Sequence, residues 1–174
     1  LDSISEICGR DEQTEQIRSK YKDVIEKRFS PEVKTDEKIK VMIVVGREYL
    51  ENGIKDVYIA GKDGFYSEIL SLFEGFSNVY DGNIAYPKIQ IEGVVTMSPD
   101  IIIDIVTNRK MTNKELEKMG DDWKVLEAIK KDSFNSRIFV VNRNYWSIPG
   151  PRFIKRIEDM NKIFLSEKGM VLNE

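Results

Sequence analysis

Four short apolar runs, set apart by stretches with helical spacing, constrain this chain more than any other feature. They are KVMIVV (Lys40–Val45), DVYIA (Asp56–Ala60), IIIDIV (Ile101–Val106) and RIFVV (Arg137–Val141). Runs this brief and this rich in β-branched residues read as buried strands, since a half-exposed strand would alternate with polar residues. Gly46 and Gly61 close the first two. Between the runs, Phe65, Ile69, Leu70, Leu72 and Phe73 have helical spacing, with a stop at Gly75. A loop from Ser77 to Pro87 holds a short strand at Asn78–Tyr80, and a helix over about Ile89–Met97 leads into the turn Pro99-Asp100. Thr112-Asn-Lys-Glu115 is a capping box that opens a helix toward Gly120. Trp123, Leu126 and either Ala128 or Ile129 mark another. Pro151 opens the last helix, which turns Phe153, Ile154, Ile157, Met160, Ile163 and Phe164 inward.

Such alternation implies an α/β fold: a mostly parallel sheet flanked by helices on both faces, a three-layer Rossmann-like lobe with right-handed crossovers. Ahead of it, residues 2–29 read as helical with one break at Gly9 and Asp11 as an N-cap. Ile17, Tyr21 and Ile25 give that helix a narrow apolar stripe, and Ser30-Pro31 ends it. The expected division is therefore a connecting helix over 1–30 and an α/β lobe over 31–174.

Composition excludes several classes of function. The 174 residues carry a formal charge of −3, so an excess of clustered cations for nucleic acid is missing. The longest apolar runs fall far short of the roughly 20 residues that span a bilayer, and the polar first thirty residues lack a signal-peptide pattern. With no histidine and one cysteine, Cys8, neither a Cys/His zinc site nor an internal disulfide is expected. Cys8 reads as a small packing residue. No G-x-G-x-x-G occurs, Gly61-Lys62 is followed by Asp63 where a phosphate loop needs Ser or Thr, and Gly75-Phe76-Ser77 lacks the second glycine of a nucleophile elbow. Asp100 and Asp104 read as a turn residue and a strand-end residue, and Trp123 and Phe134 as core. Acid–base catalysis would fall to Asp, Glu, Lys or Tyr, and nothing in the pattern supports it.

Parallel α/β sheets bind ligands outside the carboxyl ends of their strands. Those ends carry Arg47-Glu48-Tyr49, Lys62-Asp63-Gly64-Phe65-Tyr66, Asn108-Arg109-Lys110 and Asn144-Tyr145-Trp146. Each alone is an ordinary surface loop. Together, aromatics and cations on one rim suit a large, flat, anionic or conjugated ligand.

Three segments carry a resemblance to a known family: VYIAGKDGFYSEILSLFEGFSNVY, YPKIQIEGVVTMSPDIIID and RIFVVNRNYWSIPGPRFIKRIEDM. In this order and spacing over residues 38–165 they resemble the C-terminal lobe of the substrate-binding proteins of ABC importers for iron-siderophores, haem and cobalamin. Two departures stand out: Phe76 replaces the usual second glycine after Gly75, and Gln90 takes a usual serine place. The resemblance implies two lobes joined by a long helix, with this chain supplying that helix and the second lobe, and an N-terminal lobe missing from it. It implies a non-enzymatic, extracytoplasmic protein with no cofactor, whose ligand is a metal chelate held between lobes. Tyr86 would lie against the ligand, with Lys62, Phe65, Tyr66, Asn144, Tyr145 and Trp146 facing the cleft. Arg47 and Arg152 would be anion partners, although Arg152 reads equally as a helix-start residue holding a loop carbonyl. Glu92 would pair with arginines of the permease, or else complement a helix N-terminus. The rival expectations are a chelatase-like or oxidoreductase enzyme domain and a non-transport sensory lobe of the same fold.

Overall fold

The structure is a computed structural model that describes residues 11–26, 37–50, 53–62, 64–106, 110–130, 136–148, 150 and 152–173. Its strands are β1 (Ile39–Leu50), β2 (Gly53–Ile59), β3 (Phe76–Asn78), β4 (Lys88–Gln90), β5 (Ile101–Ile105), β6 (Arg137–Asn142) and β7 (Val171–Asn173). Its helices are α1 (Asp11–Glu26), α2 (Phe65–Leu70), α3 (Ile91–Met97), α4 (Asn113–Asp121), α5 (Val125–Lys130) and α6 (Phe153–Leu165). All seven strands form one sheet in the order β4-β2-β1-β5-β6-β7, with β3 beside β1. Its body, β3-β1-β5-β6-β7, is parallel. Antiparallel pairing joins β1 to β2 and β2 to β4.

The expected end of the first strand at Gly46 is corrected: β1 runs on to Leu50 and turns back as a hairpin with β2, from Val44↔Ile59 to Leu50↔Gly53. Irregular register near Gly46 and Glu48 accompanies the extension. Polar residues are tolerated there because each finds a partner. Tyr58 donates its hydroxyl to Glu48 at 2.6 Å, and Lys88 of β4 donates to the other Glu48 oxygen at 2.7 Å. The two partners hold the Glu48 carboxyl below its ordinary value, Lys88 more than Tyr58.

Strand pleating divides the core. Odd-numbered Val41, Ile43, Ile101, Ile103, Phe139 and Val141 face α2 and α6, where Tyr66, Ile69, Phe73, Ile157, Met160, Ile163 and Phe164 cover them. Phe164 stacks on Phe76 with centroids 4.0 Å apart and meets Phe73 edge-on at 4.9 Å. Even-numbered Met42, Val44 and Ile102 face the other way, under Ile91, Val94, Trp123 and Leu126 of α3, a 3-10 turn (Asp122–Lys124) and α5. The expected inward stripe of the last helix is present, with Phe153 only partly buried.

Helix ends follow local chemistry. Thr112 accepts from the Glu115 backbone while Glu115 returns a carboxylate to the Thr112 N–H at 2.7 Å, the expected capping box. Gly75, at φ 85, turns the chain beyond α2 where an L side chain would be strained. In α1, Ile17 is exposed. Gly9, Cys8 and Phe134, and the side chains of Tyr21 and Ile25, lie outside the described residues. Short β4 and β7 were not anticipated, and the strand expected at Asn78–Tyr80 lies at Phe76–Asn78. Among the described residues no helix is long and apolar enough to cross a membrane.

Candidate ligand-binding rim

The end of β2 presses against the loop that carries Tyr86. Gly61 donates to the Ala85 carbonyl at 2.7 Å, and Ile59 donates to that of Pro87 at 3.1 Å. A Cβ on Gly61 would lie 1.9 Å from the Ile84 carbonyl oxygen, so only glycine permits this approach. Asn78 steadies the junction by donating to the Ala60 carbonyl at 2.9 Å and to the Ser67 hydroxyl at 3.0 Å. These contacts fix the backbone of the loop that carries Tyr86 against the end of β2.

From Tyr66 the connection continues across the rim. Its buried hydroxyl donates to the Trp146 carbonyl at 2.6 Å, and burial pushes its pKa up to about 12. Phe65 meets Tyr66 edge-on at 5.4 Å. Trp146 itself is fully buried and donates its indole N–H to Asp159 at 3.0 Å. Tyr145 donates its hydroxyl to the same carboxylate at 2.6 Å, and burial, then this bond, raise it to about 12. Arg143 forms an ion pair with Asp159 and donates to the Tyr145 hydroxyl at 2.9 Å. One carboxylate on α6 thus holds three side chains around the turn after β6 (Arg143, Tyr145 and Trp146).

Tyr66 and Trp146, both expected to face the cleft, are therefore joined where the turn after β2 meets the turn after β6, with Phe65 beside them, but both side chains are buried. Tyr86 is 51% exposed, with Ile84 at 59%, and Ile148 between β6 and α6 is 53% exposed. These apolar side chains are exposed, while Trp146 and Tyr66 are buried. Tyr145 is half-buried, with its ring under the Lys155 ammonium at 5.8 Å. Asn144 and Arg152 are exposed, the latter at the N-cap of α6. Lys62 is exposed and bonded to Asp81 at 2.7 Å.

Arg47 stands elsewhere, and its expected position in a rim loop is corrected. It lies within β1 with its guanidinium turned inward, ion-paired to Asp104 and bonded to the Met119 carbonyl at 3.0 Å. Trp123 lies 5.2 Å from it. Asp104, expected at a strand end, is buried inside β5 and also accepts from the Trp123 indole at 3.0 Å. Glu92 is exposed in the first turn of α3, and its side chain meets water. Asp63, Asn108 and Arg109 lie outside the described residues.

Two residues of the rim were absent from the sequence expectation: Arg156 and Asp159, both fully or almost fully buried on α6. Arg156 donates from Nε to the Tyr145 carbonyl and from Nη2 to the Ile148 carbonyl, with its guanidinium 4.2 Å above the Phe65 ring. Their positions were a visible signal. They fall three residues after Phe153 and four before Ile163, on the stripe that otherwise is apolar.

No family profile matches the chain. It is similar to a possible iron-binding, periplasmic solute-binding protein of Staphylococcus epidermidis at 22% identity and TM-score 0.66, over 94% of this chain and 59% of that one. An ABC-type Fe3+-hydroxamate transport protein of Saccharomonospora viridis matches at 15% and 0.63, over 95% and 53%. The periplasmic haem-binding protein HutB of Vibrio cholerae matches at 16% and 0.60, over 95% and 61%. Among curated proteins, the vitamin B12-binding protein of Vibrio cholerae is 22% identical over 114 residues, 66% of this chain and 38% of that protein. The chain therefore spans well under half the length of the curated relatives it matches. All of these relatives are binding or transport proteins. The chain has the fold of a single lobe of the periplasmic binding proteins for iron complexes, haem and vitamin B12.

Proposed function

We propose that this chain is the C-terminal lobe of the substrate-binding component of an ABC importer for a metal chelate: a ferric siderophore, haem or cobalamin. Residues 1–30 would belong to the helix that joins it to a second lobe, and 31–174 to the lobe itself. The ligand would rest on Tyr86 and the apolar residues around it, against that second lobe. The protein would act outside the cytoplasm and without catalysis. The observation that supports this reading is the meeting of Phe65, Tyr66 and Trp146 where the turn after β2 reaches the turn after β6, beside the exposed Tyr86 loop that pairs with the end of β2. Aromatic faces give a conjugated ligand area and orientation at low entropic cost.

Titrating the two-lobe protein with ferric siderophores, haemin and cyanocobalamin while following tryptophan fluorescence tests the proposal. Trp146, directly under the rim, should report occupancy. Silence toward all three overturns it. Glu92 would make the contact with the permease, where an exposed pair adds about 0–1 kcal/mol but sets docking register. Glu92→Arg should leave chelate affinity unchanged and lower uptake; normal uptake would remove that role.

A further inference from the structure

Among the described residues, Arg156 is buried with no carboxylate paired to it. Its relative exposure is 0%, and Nη1 has no hydrogen-bond partner. The groups around it among the described residues are two backbone carbonyls, the Phe65 ring, the Tyr66 phenol and a second cation, Arg152. An arginine does not escape such a site by losing its proton. The other charges nearby are largely matched: Lys62 by Asp81, and Arg143 by Asp159. Exposed Arg152 and Lys155 add positive charge in the first turn of α6, with Glu158 one turn further along. The positive end of that 13-residue helix adds to the same potential. A charge held under an aromatic floor is poorly screened by water, so its field reaches the rim above.

We infer that the rim selects an anionic chelate, one whose carboxylate or catecholate oxygens face the start of α6, and that Arg156 is the buried charge that makes the selection. This deepens the importer reading and rests on it. Arg156 acts through the floor and the turn it holds, so it is a specificity-determining residue. Neutral chelates gain the apolar contacts of Tyr86, Ile84 and Ile148 but nothing from the field.

The test titrates the two-lobe protein with an anionic ferric tris-catecholate, haemin, a neutral ferric tris-hydroxamate and cyanocobalamin, at low and high salt. An anionic probe should bind about tenfold or more tightly than both neutral ones. Much of that margin should survive high salt, because salt screens buried charge far less than exposed charge. A margin that vanishes at high salt assigns the preference to Arg152 and Lys155 and overturns the role of Arg156. Tighter binding of a neutral probe overturns the anionic class while leaving the importer reading standing. Silence toward all four removes both. Arg156→Met should erase the salt-resistant margin and Arg156→Lys should retain part of it. A folded Met variant with the full margin refutes the assignment, and the salt comparison on the unaltered protein decides the matter if that variant does not fold.

Discussion

Two buried arginines sit on opposite faces of the same sheet. Arg47, on the α5 side, faces Asp104, with Asp122 3.4 Å from its other nitrogen and the Trp123 ring alongside. Arg156, on the α6 side, has carbonyls and an aromatic ring but no acid among the described residues. Burial lowers the pKa of both, yet for Arg47 the counter-charge is built in. The first has its counter-charge within the fold, although Nε and Nη2 lack hydrogen-bond partners, and ties the β1–β2 hairpin to the helices behind it. The second leaves charge unmatched beneath the surface where the candidate ligand residues collect. The lesson is that a buried charge signals function by what it lacks, once its neighbours are accounted for.

Removing the matched acid gives the largest expected effect. Asp104→Ala strands Arg47 and deprives the Trp123 indole of its acceptor, and should cost about 3–5 kcal/mol in urea unfolding. A loss under about 1 kcal/mol would show that the pair is not what holds the hairpin. Asp159→Ala should cost less, about 2–3 kcal/mol, because Arg143 is partly exposed and rehydrates, while Tyr145 and Trp146 lose their shared acceptor. It should also loosen the rim, visible as altered Trp146 fluorescence in a Trp123→Phe background, where Asp104→Ala should leave that signal unchanged.

Tyr66→Phe removes the bond to the Trp146 carbonyl and should cost about 1–2 kcal/mol. The rim tyrosines also set a pH dependence. Both phenols titrate near 12 in the fold against an ordinary 10.0, so the unfolded chain gives up these protons first. Their stabilisation is complete below pH 10 and should be lost as pH rises from about 10 to about 12. Alkaline melts of Tyr66→Phe should show a smaller loss over that interval than melts of the unaltered chain. Smallest of all, Thr112→Ala breaks a cap remote from both arginines and should cost about 1 kcal/mol, without touching the rim fluorescence.

Much of the frame was legible because it rests on local patterns. The β-branched runs became β1, β5 and β6, the capping box formed as read, and the apolar stripe of α6 faces the core. What escaped rests on partners distant in the chain. Arg47-Glu48-Tyr49 looks like a loop until β2 and Asp104 supply the groups that keep it in a strand. Strands as short as β4 and β7 have no pattern of their own and exist by pairing with β2 and β6. At the rim, Tyr66 and Trp146 meet, but Trp146, expected to face a cleft, lies beneath the surface with its indole bonded to Asp159. Charges on an apolar stripe were the overlooked clue.

The dependence of the turn after β6 on α6 has a consequence for how the chain matures. Asp159 and Arg156 come late, yet they hold Arg143, Tyr145 and Trp146, and through Trp146 they engage Tyr66 in α2. The contacts of α6 with that turn are local, whereas joining Tyr66 to Trp146 closes a loop of 80 residues and must meet a larger closure entropy first. During synthesis β1, β3, β5 and β6 are complete before α6, while the rim is still unfinished. Docking of α6 is then the step that gives the turn after β6 a defined shape.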